Sequence, residues 1–522
     1  MPHRDFKPRA APAVIPGLGV DVPELRQARA LWQANRFDDA LQLFEAATRQ
    51  YPQNLVALID ASRALGARFE IKRAEALLDK LAKLGGRSPE ALHLAGQSYR
   101  MIFRQDKAME CFRRVVAVTR AIPDAQLELA VLYERRHRIE EARALIEDCI
   151  RASPDYLEAQ LFKARLQRRM HEEGAAEELL RRLAASEAAH PLVRAQAWAE
   201  WAHMLDKRGD YDAAMAAMLE SKKPLREMEG PFRRESDAVV RQLGEIAAAV
   251  TRRDFERWAE EGRSLPPAKT AALASFPRSG TTLLEQALDS HPGLVSSDER
   301  EAFARDIFPA MWRTAQTRLP SVTALDAMPR ARLLAQRTRY LDYMAAALNE
   351  PLGDRIHLDK NPTLTLLLPA LLRLFPETKI LIALRDPRDV VISCFMQYLA
   401  LNTNSVCFLT LERTAERYRH DMLAWRELRE KIPASWRETR YENCVANMAG
   451  ETRSALEFLG LPWDPQVLEY RERLKTKAVS SPTYEAVSQP IYATAVGRWK
   501  HYEKYFGPTL DILAPLVEAL GY

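Results

Sequence analysis

Pro277-Arg278-Ser279-Gly280-Thr281-Thr282 follows the apolar run Ala271–Ala274 and leads into Leu283-Leu284-Glu285-Gln286-Ala287-Leu288. A short apolar run bounded by Pro and Gly predicts a buried strand, and the hydroxyls that follow predict the start of a helix. A strand, a tight turn and a helix N-terminus together offer backbone N–H groups and the positive end of a helix dipole to an anion. Arg278, Ser279, Thr281 and Thr282 add a fixed positive charge and three hydroxyls, a set suited to a tetrahedral oxyanion such as phosphate or sulfate. The same hydroxyls would serve an ordinary capped turn, so an anion site needs further cations from elsewhere in the chain.

The nucleotide-binding loop G-x-x-x-x-G-K-[ST] places its Lys on the terminal phosphates and its hydroxyl on magnesium. Here Ser275 stands in place of the first Gly and Thr281 in place of the Lys. An ATPase, GTPase or kinase loses ground on both counts, while a phosphate-like ligand keeps it.

The 522 residues suffice for two or three domains with their own cores. Apolar content of 47% and charged content of 28% are those of an ordinary soluble protein. A net charge of +5 permits a basic pocket without arguing for nucleic-acid or membrane-surface binding. Cys111, Cys149, Cys394, Cys407 and Cys444 show no C-x-x-C spacing, so neither a metal site nor a disulfide framework is indicated. With no signal-like N-terminus and no long uncharged run, the expected setting is cytoplasmic, without a membrane span.

Residues 1–24 hold five prolines and read as an irregular leader. From 25 to 222 the chain repeats itself about six times. Ala40, Ala74, Ala108, Ala142 and Ala176 recur every 34 residues, and Ala214 follows. Twelve positions before each lies another small residue (Ala28, Ser62, Gly96, Ala130, Ala164, Ala202), and four positions after each a bulky one (Phe44, Leu78, Phe112, Ile146, Leu180, Met218). Small residues let the helices of a hairpin cross closely, and the bulky one fills the adjoining groove. The pattern resembles the tetratricopeptide repeat (TPR), a stacked helix-turn-helix unit whose arrays curve into a peptide-holding groove. Asn35, Arg100, Arg104, Tyr133 and Arg136 are candidates to line it.

Residues 223–265 read as a helical joint, with Val239, Leu243, Ile246, Val250, Phe255 and Trp258 in periodic positions. From 266 to 522 strand-like runs alternate with helical patterns, which predicts a parallel sheet with crossover helices. After the opening strand come Arg355–Lys360, Lys379–Arg385 and Trp436–Tyr441. Arg278, Lys360, and Arg385 with Arg388 close the first three runs, so three strand ends deliver cations to one sheet edge, where ligands of such sheets bind. If Asp389 starts a helix, Ser393 lies about one turn in, close enough to share an anion with Arg385.

Pro277–Leu283 resembles the 5′-phosphosulfate loop of sulfotransferases that use 3′-phosphoadenosine 5′-phosphosulfate (PAPS), and Arg385–Ser393 resembles their 3′-phosphate motif. Within that family the likeness is to bacterial TPR-containing sulfotransferases and tyrosylprotein sulfotransferases. Leu283-Leu284-Glu285-Gln286, His291-Pro292, Glu299, Asp359–Pro362, Tyr441-Glu442, Phe458–Trp463, Gln489–Tyr492 and Gly497–Trp499 continue it. The implied fold is an α-helical TPR superhelix followed by an α/β, P-loop-like sulfotransferase domain with a parallel sheet.

The resemblance implies that Arg278, Ser279, Gly280, Thr281 and Thr282 hold the 5′-phosphosulfate, and Arg385 and Ser393 the 3′-phosphate. Tyr441, and Ser480 or Ser481, would contact the cofactor. Glu299 would take the proton of the acceptor hydroxyl, with Asp298 as its rival in the run Asp298-Glu299-Arg300-Glu301. Lys360 and Arg278 would neutralise charge on the departing phosphate and the sulfuryl oxygens. Such transfer needs positioned donors, a base and a cation, and no metal. The expected products are a sulfated hydroxyl and the desulfated nucleotide PAP. The acceptor is expected on a peptide or protein held by the groove, with tyrosine O-sulfation as the specific version. Two other readings are a TPR adaptor with a non-catalytic PAP-binding domain and a P-loop kinase or NTPase. A strand-end lysine is otherwise unremarkable, and His291 and His357 read as structural.

Overall fold

A computed structural model describes residues 18, 20–313, 319–433, 435–474 and 495–522. The chain divides into two compact units: His3–Ala189 with Tyr343–Pro351, and His190–Asp342 with Leu352–Tyr522.

In the first unit helices come in five hairpins: Pro23–Gln33 with Phe37–Gln50, Leu55–Ala67 with Ile71–Leu84, Pro89–Met101 with Gln105–Val118, Pro123–Arg135 with Ile139–Ala152, and Leu157–Arg169 with Glu173–Ala185. The repeating alanines Ala40, Ala74, Ala108, Ala142 and Ala176 are all wholly buried. Gly96 shows why the partner position is small: a β-carbon there would sit 2.5 Å from the Phe112 ring, the bulky residue of the same repeat. Each hairpin also turns through a left-handed residue, Asn35, Phe69, Phe103, His137 and His171, with φ between 59° and 64°. The next residue's N–H then reaches back to the helix, as Arg36 does to the Leu31 carbonyl at 2.9 Å and Glu172 to that of Gln167 at 2.9 Å, closing the orphan carbonyls of the helix end.

The second unit begins with a sixth hairpin, Pro191–Lys207 and Tyr211–Glu227, whose turn uses Gly209 at φ 84°. The second helix passes through Pro224 and ends at Glu227. Asp206 accepts from Arg498 at 3.0 Å and from the Tyr502 hydroxyl at 2.5 Å, and Tyr211 stacks on His501 with ring centres 4.1 Å apart. Helices Gly230–Ala249 and Arg252–Gly262 follow.

The sheet behind them has five strands, β1 Thr270–Ala274, β2 Leu294–Ser296, β3 Ile356–Lys360, β4 Lys379–Leu384 and β5 Trp436–Arg440, in the order β2-β3-β1-β4-β5. All pairings are parallel, as the alternation predicts. The three-residue β2 is one strand more than the sequence reading names. Every residue of β1 is buried, as a central parallel strand covered on both faces requires. Leu273 pairs with Lys360 on one side and with Leu381 on the other, so β1 and β3 end within one residue of each other while β4 runs two residues further, to Leu384.

Candidate functional site

The turn after β1 is fixed at its root. The Ser275 hydroxyl donates to the Ala383 carbonyl of β4, and the Thr365 hydroxyl donates to the Ser275 carbonyl at 2.7 Å. Arg278 takes a left-handed conformation at φ 72°, costly for a residue with a β-carbon, and Gly280 lies at φ 92°. Gly280 has a second reason to be glycine: a β-carbon would come 2.5 Å from the Tyr441 ring. No side chain caps the Thr281–Asp289 helix, so its leading N–H groups are directed at the turn. Ser279, Thr281 and Thr282 are all buried around it.

The second motif meets this turn directly. Arg278 Nε donates to Ser393 Oγ at 3.1 Å, and Arg385 Nη1 donates to the Arg278 carbonyl at 3.0 Å. The Arg385 guanidinium lies over the Tyr441 ring at 4.7 Å, and Nη2 reaches the Ala495 carbonyl. Its buried Nε has no hydrogen-bond partner among the described residues. Ser393 sits in the second turn of the Pro387–Phe395 helix, which starts two residues before Asp389 and is capped by Asp386. Asp389 accepts from the N–H groups of Gly497 at 2.7 Å and Trp499 at 2.8 Å, and burial raises its carboxyl above the usual range. Arg388 pairs with Asp386 at 2.7 Å and lies 4.1 Å over the Trp499 ring. Behind the same helix, buried Lys222 donates to the Gln397 carbonyl at 2.6 Å. Burial brings its ammonium down to about 7.

Lys360, at the end of β3, is wholly buried. Its ammonium meets Glu285 at 3.1 Å, Asp298 at 3.0 Å and Glu299 at 2.7 Å. Burial would discharge it, but the three carboxylates outweigh burial and hold it charged, well above the usual lysine range. Asp298, left-handed at φ 58°, is tied by its N–H to Ser296 Oγ at 3.2 Å. The Glu299 side chain keeps 33% of its surface exposed against 10% for Asp298. Below lie His357, held to Ser297 Oγ at 3.0 Å and brought by burial to about 4, and Asp359, which accepts from the Tyr340 hydroxyl at 2.5 Å and is raised by burial to about 6.

Residues 271–465 match the sulfotransferase family, and residues 31–97 and 123–166 match tetratricopeptide repeats. An uncharacterised Aquifex aeolicus protein is 29% identical over 315 residues, 59% of this chain and 40% of that one. Protein-tyrosine sulfotransferase 1 of Danio rerio is 24% identical over 48% of this chain and 71% of its own, and the Homo sapiens protein of that name 26% over 48% and 68%. Among solved structures, the sulfotransferase domain of the Synechococcus olefin synthase is 19% identical over 45% of this chain and 89% of that one, with a TM-score of 0.33. That of the curacin biosynthetic pathway is 20% identical over 48% and 98%, with a TM-score of 0.32.

Within the matched residues 271–465 the fold gathers Arg278, Ser279, Gly280, Thr281, Thr282, Arg385, Ser393 and Tyr441 around one turn, and Lys360, Asp298 and Glu299 around the neighbouring strand end. Ser480, Ser481 and Gln489–Tyr492 lie outside the described residues. His291 Nδ1 accepts from the Gly293 N–H at 3.0 Å, and its Nε2 meets the Pro462 carbonyl at 2.9 Å, a turn-holding role. Glu285 is the member sequence reasoning passes over. Its signal is weak but present, since it falls four residues after Thr281 on the same helix face.

In the repeat unit, Arg100 pairs with Glu128, Arg104 with Glu75 at 2.7 Å and Arg136 with Asp106 at 2.6 Å, and Arg138 covers the Tyr133 ring at 4.3 Å. These candidate groove residues thus take part in the array's own polar network. Among the described residues no helix is long and apolar enough to cross a membrane.

Proposed function

We propose that the sulfotransferase-family domain transfers a sulfuryl group from PAPS to a hydroxyl of a peptide or protein acceptor, with tyrosine O-sulfation as the specific version. The observation that carries this is the 3.1 Å contact of Arg278 with Ser393, which joins two anion motifs far apart in sequence at one sheet edge. The residues fit a nucleotide with anionic groups at both ends: a helix start with no side-chain cap, a glycine flush against a tyrosine ring, and a buried arginine whose Nε has no hydrogen-bond partner among the described residues.

PAPS, when bound, supplies the sulfuryl group and leaves as PAP. Arg278, Ser279, Gly280, Thr281 and Thr282 would hold its 5′ end, Arg385 and Ser393 its 3′-phosphate, and Tyr441 would line the nucleotide between them. Lys360 and Arg278 would answer the charge at the bridging and sulfuryl oxygens. Glu299, the more exposed of the two adjoining carboxylates, would take the acceptor proton at Oε2 or Oε1, while Asp298 stays tied to Lys360 and Ser296. The repeats would present the acceptor. Five cysteines without disulfides suit the reducing cytoplasm.

Incubation with radiolabelled PAPS and a host lysate, followed by fractionation, should put the label into protein. Glu299→Ala should lower that transfer about 10²- to 10⁴-fold, as loss of a general base does. Wild-type transfer by Glu299→Ala or Lys360→Ala, or ATP hydrolysis with magnesium in place of PAP binding, would overturn the reading.

A further inference from the structure

The geometry points to Glu285 as a positioning residue that, together with Asp298, holds Lys360 in place so that Glu299 can turn to the acceptor. This rests on the sulfotransferase reading above.

Lys360 Nζ donates hydrogen bonds to Asp298 at 3.0 Å and Glu299 at 2.7 Å, and the Glu285 carboxylate, 3.1 Å away, sets a third negative charge beside it. Lys360 has no exposed surface, so its charge depends on these partners rather than on water. A lysine held by Glu299 alone would be left bare and buried whenever Glu299 reached for a hydroxyl, and a buried charge stripped of its partner is strongly unfavourable. With Glu285 and Asp298 in place, Lys360 keeps two counter-charges throughout. Arg300, whose guanidinium burial lowers while Asp298, Glu285 and Glu299 draw it back up, is the second cation among the three acids.

Glu285 is built for holding. It is wholly buried, one oxygen meets Lys360 at 3.1 Å and the other accepts from the Ser296 hydroxyl at 2.5 Å. Ser296 in turn accepts from the Asp298 N–H at 3.2 Å, so both anchors share one hydroxyl. Glu285 also lies one turn beyond Thr281 on the Thr281–Asp289 helix. The lysine is therefore referenced to the helix that forms the anion turn, and not only to the Asp298–Glu299 loop. Glu299, the outermost of the three, is left as the mobile partner.

The test compares wild type with the isosteric Glu285→Gln and the conservative Glu285→Asp, each checked for an unchanged fold by circular dichroism. Glu285→Gln should lower kcat for sulfate transfer about 10- to 100-fold, the range seen when an outer positioning group is removed. KM for PAPS and PAP binding by calorimetry should stay within about twofold, because the anion turn is untouched. The acid limb of the pH–rate profile should move to lower pH, since one negative charge beside Glu299 has gone. Glu285→Asp should recover part of the rate. Acetic anhydride labelling of Lys360, read by mass spectrometry without any turnover, should rise several-fold in Glu285→Gln and less in Glu285→Asp. Wild-type kcat and wild-type protection of Lys360 in Glu285→Gln would overturn the proposal, as would a rate loss with an unmoved pH profile. If the wild-type protein neither binds PAP nor transfers sulfate, the sulfotransferase reading falls, and the labelling pattern still decides whether Glu285 holds Lys360.

Discussion

The turns of the repeat array and the turns around the anion site share one backbone conformation, left-handed residues bearing side chains, yet they use it differently. In the array Asn35, Phe69, Phe103, His137 and His171 recur at the repeat spacing, and what matters is the N–H that follows, which closes a helix end. The residue type is nearly indifferent. At the sheet edge Arg278 and Asp298 are also left-handed, but there the side chain is the point: one reaches Ser393 and the other Lys360. The same strain, about 1–2 kcal/mol per residue, is architectural in one region and aims a charge in the other.

Three substitutions would break or sharpen that contrast. Gly280→Ala is expected to have the largest effect, because the new methyl meets both a φ of 92° and the Tyr441 ring. Transfer from PAPS should fall by roughly 100-fold or more, as when a positioned oxyanion donor is lost, with PAP affinity falling alongside in calorimetry. Lys222→Met should act on stability, not on the reaction. The folded protein holds the Lys222 ammonium at about 7, below the value in an unfolded chain, so the unfolded state binds more protons above that pH. Wild-type stability to urea should therefore gain a rising component from about pH 7 to pH 10, and the variant should lack it. His137→Gly is expected to do least. It relieves a left-handed residue but loosens the unfolded chain, so the urea midpoint should shift by less than about 1 kcal/mol equivalent and transfer should not change. A large activity loss from His137→Gly would erase the distinction between the two regions.

The sequence makes the repeat legible because small and bulky residues must alternate at fixed places for hairpins to cross, and Ala74, Ala108 and Phe112 sit where that logic puts them. It makes the anion turn legible because Gly280 and its hydroxyl neighbours belong to a recognisable strand-to-helix junction. The left-handed positions are not legible, since Asn, Phe and His have no common chemistry and the conformation comes from the helix end they follow. Strand β2 escapes because three residues are too few to show alternation. Glu285 escapes because, within Leu-Leu-Glu-Gln-Ala-Leu, it looks like any polar residue on a helix, and only the arrival of Lys360 from β3 reveals its partner.

The strand order also sets a timetable. Each hairpin of the repeats can close once its second helix has left the ribosome, since its contacts are local. Thr270–Ala274 cannot: its neighbours are Ile356–Lys360 and Lys379–Leu384, and nothing made earlier pairs with it in the sheet. At ordinary rates of synthesis that strand, apolar apart from Thr270, waits roughly 5–20 s for its partners. A nascent chain stalled in that interval would carry finished repeats joined to an unpaired, aggregation-prone segment.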